Sequence, residues 1–450
     1  MKKIIYYFFT ILSICSLVAC LFIRDNYYEF SSTNVKNNIE YLSSNKFQGR
    51  LAGTENNEMV AEELKETFKD YNLIPLSSDY LEPFNLKVPI YNGEKSSLKM
   101  YNGSTLIKDF KLGQDFKEDL INFKTTNLTF SKSDKVEILP KSIYIQKGSK
   151  HYLFYVTYDK GFPFRSSFIY DSDVDFAIQI NTNTFNDILN GLRDGNTLDV
   201  NLPYTAEDRT VYNVVGKLEG SDKDLPPLIL TAHFDHLGVD SLGTIYPGAL
   251  DNSSGTAFLL ELARNFSSLK TPKRDIIFVA LNGEECGLRG SQAFAEIYKE
   301  KLAGAEIINF DMIGASDCPI TFMNGANTEF VSSELLDSLS YICATKDLPY
   351  NTTYNNCSDH ASFVDEGFNS LTITHNDISK IHTPYDTAAN ISTSSIDEVY
   401  TLVNSKITDY AYYDITLLMY NKNTLLFFSL TSFGLIIFAI RLRFFRDIFD

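Results

Sequence analysis

The second half of the chain repeats one pattern, a short apolar run followed by a stretch with helical periodicity. The runs are PLILTAH, RDIIFVAL, EIINFDM and SLTITH, and between them stand SGTAFLLELARNF, SQAFAEIYKEKL and NTEFVSSELLDSLSYICATK. Runs this short, apolar on both faces and bounded by helical segments, read as strands buried on both sides. Strands alternating with helices assemble into an α/β domain with a mixed, largely parallel sheet flanked by helices. A last helix, roughly Ser394 to Tyr413, closes this region.

Open α/β sheets place their sites at the carboxyl ends of the strands. PLILTA is followed by His233, Asp235 and His236, and YPGALDNSSG brings Asp251 directly ahead of a helix. RDIIFVAL delivers Glu284 and Glu285, EIINF delivers Asp311, SLTIT is followed by His375, and IHTPYDT then presents His382. Taken singly, each residue has an ordinary reading. An Asp ahead of a helix, such as Asp251 or Asp386, is commonly a helix cap, and a Glu-Glu pair is commonly a solvated loop. Together they are harder to dismiss, because several ionised carboxylates converging on one cleft repel strongly unless cations stand among them. Two dications resolve the repulsion if each takes a terminal His and a terminal carboxylate while a further Asp bridges them. Mixed nitrogen and oxygen donors suit Zn²⁺, with Co²⁺ or Mn²⁺ as substitutes.

The rest of the chain divides by pattern. Residues 34 to 72 read as helix, loop, helix, and residues 85 to 205 alternate β-type runs (SIYIQ, HYLFYVTY, DFAIQI) with turns around one helix, TFNDILNGLRDG. That stretch reads as a mostly β insert. At the ends, IIYYFFTILSICSLVACLFI after Lys2 and Lys3, and TLLFFSLTSFGLIIFAI before RLRFFR, are apolar enough for membrane helices. Basic residues at both outer ends predict cytoplasmic termini and an extracytoplasmic middle. An uncleaved signal anchor is the favoured reading of the first segment. A cleaved signal peptide and a lipoprotein modified at Cys20, in LVAC, are the alternatives. Outside that segment stand Cys286, Cys318, Cys343 and Cys357; Cys343 and Cys357 are the pair to test for a disulfide, with four packed thiols as the alternative. The formal net charge of −17 argues against a nucleic-acid surface.

HFDH, GALDNSSG, NGEECGLRGS, NFDMIG, SDHASF and IHTPYDT, in this order, resemble the M28 family of zinc aminopeptidases. LSSNKFQGRLAGTENNEMVAEEL is similar to that family's N-terminal region, and residues 85 to 205 more weakly resemble a protease-associated domain. The resemblance implies a zinc-exopeptidase-like fold with peptidase over 24–84 and 210–415 and insert over 85–209; the apolar end runs are read from their hydropathy as a signal anchor or signal peptide over 1–23 and a transmembrane helix over 424–440. It implies that His233 and Asp311 hold one metal, that Glu285 and His382 hold the other, and that Asp251 bridges them. Glu284 would be the general base, Asp235 would orient His233, and Asp359 would stand behind the ligands; His236, His360 and His375 are left as structural. Consecutive side chains at a strand end point in different directions, so Glu285 can face a metal while Glu284 faces the attacking water. The activity implied is removal of N-terminal residues from peptides outside the cell; that the insert limits access to short peptides is a separate expectation, which the resemblance does not carry. A carboxypeptidase on the same site, a glutaminyl-cyclase-like enzyme and a non-catalytic membrane binding module are the rival readings. Cys286 and the C-terminal membrane segment depart from the family pattern.

Overall fold

The computed structural model describes residues 2–449. An eight-stranded sheet runs in the order Leu81–Tyr91, Tyr204–Leu218, Ile276–Leu281, Leu228–His233, Glu306–Phe310, Asn369–Thr374, Ile320–Asn324, Tyr350–Tyr354. The four apolar runs are its centre and pair in parallel, as their two-sided burial requires. Antiparallel pairings join the first three strands in this order, and Ile320–Asn324 to Asn369–Thr374, so the sheet is mixed.

Three strands carry weak sequence signals. Leu81–Tyr91 lies at one edge and contains Pro83 and Pro89, residues that only an edge strand tolerates. Tyr350–Tyr354 forms the other edge; its polar, largely exposed YNTTY hides it from a hydrophobicity reading. Ile320–Asn324 is buried throughout, but it is short and follows no helix.

Helices cover both faces. Ser254–Ser267 is buried along almost its whole length, which explains its apolar character on every side. Glu55–Asp70 is capped by Thr54, whose hydroxyl accepts the Asn57 N–H, and packs Val60, Leu64 and Phe68 into the same core.

The chain enters and leaves the insert through a two-stranded ribbon, because Leu81–Tyr91 pairs along its full length with Tyr204–Leu218. Both strands therefore straddle the boundaries expected at residues 85 and 209. Beyond the ribbon lie a four-stranded and a five-stranded sheet with the helix Thr182–Arg193. The insert's core of Phe116, Phe130, Phe154, Phe176 and Ile178 is continuous with Leu51, Leu86, Leu237, Tyr246 and Cys286 of the main domain. It is docked, not tethered.

Two helices are long and apolar enough to cross a membrane, over Ile4–Arg24 and Lys422–Arg441. They lie side by side and antiparallel, with Ser13 and Ser432 hydroxyls 2.8 Å apart and the Tyr6 and Phe438 rings at 5.6 Å. The side chains of Lys2, Lys3, Arg443 and Arg446, on which the expected orientation rests, lie outside the described residues. All six cysteines are free thiols: Cys343 is buried and Cys357 exposed, so neither a bridge nor a shared core position joins them.

Candidate metal centre

His233 ends its strand opposite Leu281 of the parallel neighbour, so His233 and the Asn282–Glu285 turn emerge at one edge. Asp311 follows the next strand along, and His382 lies in the loop beyond the strand after that. Asp251 lies in the turn Ala249–Ser253 that leads into the buried helix. Gly255 makes a close approach feasible: a Cβ there would stand 2.2 Å from the Phe310 carbonyl oxygen. Only glycine lets the helix start lie against the strand that ends in Asp311.

These residues converge in two groups that share Asp251. His233 Nε2 is 3.4 Å from Asp251 Oδ1 and 3.5 Å from Asp311 Oδ1. His382 Nε2 is 3.3 Å from Asp251 Oδ2 and 3.4 Å from Glu285 Oε2. A tetrahedral ion with bonds of about 2.0–2.1 Å separates its ligand atoms by about 3.3–3.4 Å, so both groups match that edge length. His233 Nε2 and Asp311 Oδ1 are buried with no hydrogen-bond partner among the described residues. Two unpaired buried donors facing each other at that separation fit a bound zinc ion.

His236, Asp251 and Glu285 form another cluster of metal-binding residue types. Distances decide between the two histidines. His236 Nδ1 stands 2.8 Å from Glu285 Oε1, a hydrogen bond, and 4.0 Å from Asp251 Oδ2. His382 stands at ligand spacing from both. His236 therefore holds Glu285, which is more than the structural role expected of it.

The remaining residues brace the donors. Asp235 lies 3.7 Å from His233 Nδ1, and its two oxygens accept the backbone N–H groups of Glu284 and Glu285, each at 3.2 Å. Its carboxylate thus holds the Glu-Glu turn as well as lying beside the imidazole. Ser358 donates to Asp311 Oδ2 at 2.6 Å and accepts from Asn309 Nδ2 at 2.9 Å. Arg50, fully buried, donates to the carbonyls of Phe234, Leu42, Pro247 and Gly248 at 2.7–2.9 Å, tying the N-terminal segment to both ligand loops. Asp386 braces the Asp251 turn. From the insert, Ser167 donates to Glu285 Oε2 at 2.5 Å and the Phe164 ring stacks on His382 at 5.9 Å. Ser358, Arg50 and Asp386 sit inside motifs already singled out. Ser167 and Phe164 carry no local signal.

Asp359 and His360 stand at the start of the helix His360–Asp365, both fully buried. The Asp359 oxygens have no hydrogen-bond partner among the described residues, whereas His360 bonds Thr372 and the Asn355 carbonyl. His375 accepts the Gly314 N–H at 2.9 Å. Cys286 is buried toward the insert core, and burial beside Asp235, Glu285 and Glu284 pushes its thiol well up, so it stays protonated.

Burial and the charges of Glu285, Asp359 and Asp311 push the Glu284 carboxyl well above its ordinary range, against the opposing pull of His233. Burial likewise pushes Asp359 up to about 7. Burial alone would raise Asp251 and Glu285 too, but hydrogen bonds and charges from His233, His236 and His382 hold both well below it. The two glutamates of NGEECG are thereby separated, one kept as an anion among the histidines and the other with high proton affinity.

Comparison with known proteins follows the same outline. Residues 213–406 match the family model described as Peptidase family M28. A vacuolar membrane protease of Candida glabrata is 34% identical over 182 residues, 39% of this chain and 16% of that protein. Aminopeptidase YwaD of Bacillus subtilis is 29% identical over 221 residues, 44% of this chain and 45% of that protein. The chain thus spans less than half the length of these curated relatives. Among solved structures, a zinc aminopeptidase from Bacillus subtilis superposes with a TM-score of 0.62 at 17% identity, covering 86% of this chain and 97% of that one. An aminopeptidase from Aneurinibacillus sp. strain AM-1 gives 0.57 at 19%, covering 85% and 94%. These two likenesses show the fold.

Proposed function

We propose, from the match of residues 213–406 to the model of peptidase family M28, that the chain is a membrane-associated dinuclear zinc aminopeptidase removing N-terminal residues from peptides. The observation that carries the reading is the pair of donor groups sharing Asp251 at tetrahedral edge spacing. His233, Asp311 and Asp251 would hold one ion, and His382, Glu285 and Asp251 the other. Bound there, the ions would acidify water and polarise the scissile carbonyl.

Glu284 is the general base. It is the partly exposed member of the pair, beside the buried Glu285, and so is the carboxylate left free to take a proton from water and return it to the leaving amine. Asp235 fixes the backbone of that residue, so the carboxylate keeps its aim. Phe164 and its neighbours wall the site on the insert side, which supports restriction to short peptides. The two apolar helices and the vacuolar membrane protease relative support membrane association, and the basic residues outside both apolar runs support an extracytoplasmic catalytic domain.

The test uses one peptide in three forms, unblocked, N-acetylated and C-amidated, with and without a chelator. Cleavage that needs a free N-terminus, ignores the amide and vanishes with the chelator is the expected result. Cleavage that ignores acetylation but needs a free C-terminus would make the enzyme a carboxypeptidase. No cleavage of any form, with zinc still bound, would point to cyclase chemistry or to a binding role.

A further inference from the structure

Glu285 must present one oxygen to an ion, and a carboxylate held on one side alone is free to rotate away. His236 holds Oε1 and Ser167 holds Oε2, so both oxygens are fastened before any ion arrives. The two fastenings differ in origin. His236 belongs to the peptidase domain, only three residues from His233, whereas Ser167 comes from the insert.

The segment around Ser167 touches one half of the centre. Phe168 N–H bonds the Glu285 carbonyl at 2.7 Å, Arg165 N–H bonds the His382 carbonyl at 3.0 Å, and Phe164 stacks on the His382 ring. Glu285 and His382 are the two terminal ligands of the same ion. Among the described residues, no hydrogen bond joins this segment to His233, Asp251 or Asp311.

The segment is itself clamped in place. Ser166 N–H bonds Asp119 at 2.8 Å. Lys117, fully buried on the insert strand Phe116–Phe123, donates to the carbonyls of Phe162 and Phe164. The same ammonium donates to Tyr246 of the peptidase domain at 2.7 Å and lies 3.7 Å from Asp240. A buried cation bonded on both sides of the interface is costly to unpair, which fixes the segment to the docked position of the insert.

We propose that Ser167 is a positioning residue for Glu285, so that binding of the ion held by Glu285 and His382 depends on the docked insert while the ion held by His233 and Asp311 does not. The inference rests on the dinuclear reading above. Groups that hydrogen-bond a metal ligand change metal affinity by about 10–100-fold when removed, and the change here is confined to one of two ions.

The experiment uses the full chain in detergent, stripped with a chelator and titrated with zinc against a chromophoric competitor, as wild type, Ser167→Ala and Ser167→Thr. The expected result is two zinc ions in wild type, with Ser167→Ala weakening one by about 10–100-fold and leaving the other unchanged. Ser167→Thr keeps the hydroxyl and restores the weakened ion. Cobalt titration supplies a spectroscopic signature, since only the visible band of the weaker equivalent changes in Ser167→Ala. Unchanged affinities in Ser167→Ala, or an equal fall in both, would overturn the proposal. A wild-type chain that takes one zinc ion or none overturns the dinuclear reading itself, which the wild-type arm reports separately.

Discussion

The carboxylate of Asp386 accepts the backbone N–H of Asp251 at 3.0 Å through one oxygen and that of Leu250 at 2.8 Å through the other. The residue proposed to bridge both ions is thus braced by a loop only four residues beyond His382. Asp386→Asn keeps one acceptor and turns an amide N–H₂ toward a backbone N–H. We expect zinc affinity and kcat/KM each to fall by about 10–100-fold. Chelator competition and peptide hydrolysis measure the two, and wild-type values in both would show that the Asp251 turn holds its shape alone.

Glu284→Gln preserves size and removes the proposed base. Since Glu285, not Glu284, stands at ligand distance from His382, the variant should keep both metals. Turnover should fall by at least about 10²-fold, the scale of general base catalysis. Metal content and kcat are read on the same preparation; a variant that loses metal instead would exchange the roles assigned to the two glutamates.

Arg50 satisfies four carbonyls, three of them in buried hydrogen bonds and that of Pro247 in a partly buried one. Burial pushes its guanidinium down to about 10, still charged at neutral pH. Arg50→Met fills comparable space but leaves those acceptors unpaired, so a loss of about 3–5 kcal/mol is expected. Urea unfolding of the detergent-solubilised chain tests this, and a loss below about 1 kcal/mol would mean that the loops find other donors.

Burial pushes the His375 imidazole down to about 4 from its ordinary 6.5. The folded chain then refuses a proton that the unfolded chain accepts. Its contribution is fully present above about pH 6.5 and is lost as pH falls toward 4, amounting to about 2 kcal/mol by pH 5. His375→Asn keeps an acceptor for Gly314 N–H and cannot titrate. Its unfolding free energy should therefore fall less between pH 7 and 5 than that of wild type, and parallel slopes would assign the acid sensitivity to other groups.

Strand-helix alternation and the residues at the strand ends could be read from the chain alone, because hydrophobic periodicity is a local property. His233, Glu285 and Asp311 each stand just past an apolar run, and the buried parallel sheet puts those ends at one edge. The edge strands were harder to see, since Pro83, Pro89 and the polar YNTTY obey no hydrophobic period. The motifs already pointed to His382 and left His236 as structural, but only the tertiary structure supplied the distances: both histidines lie near Glu285, His236 at the 2.8 Å of a hydrogen bond and His382 at 3.4 Å. It alone also brought Ser167 to Glu285 across 118 residues of chain. That contact depends on where the insert docks, which is set by buried long-range bonds such as Lys117 to Tyr246, and no local pattern encodes a distance between surfaces so far apart in sequence.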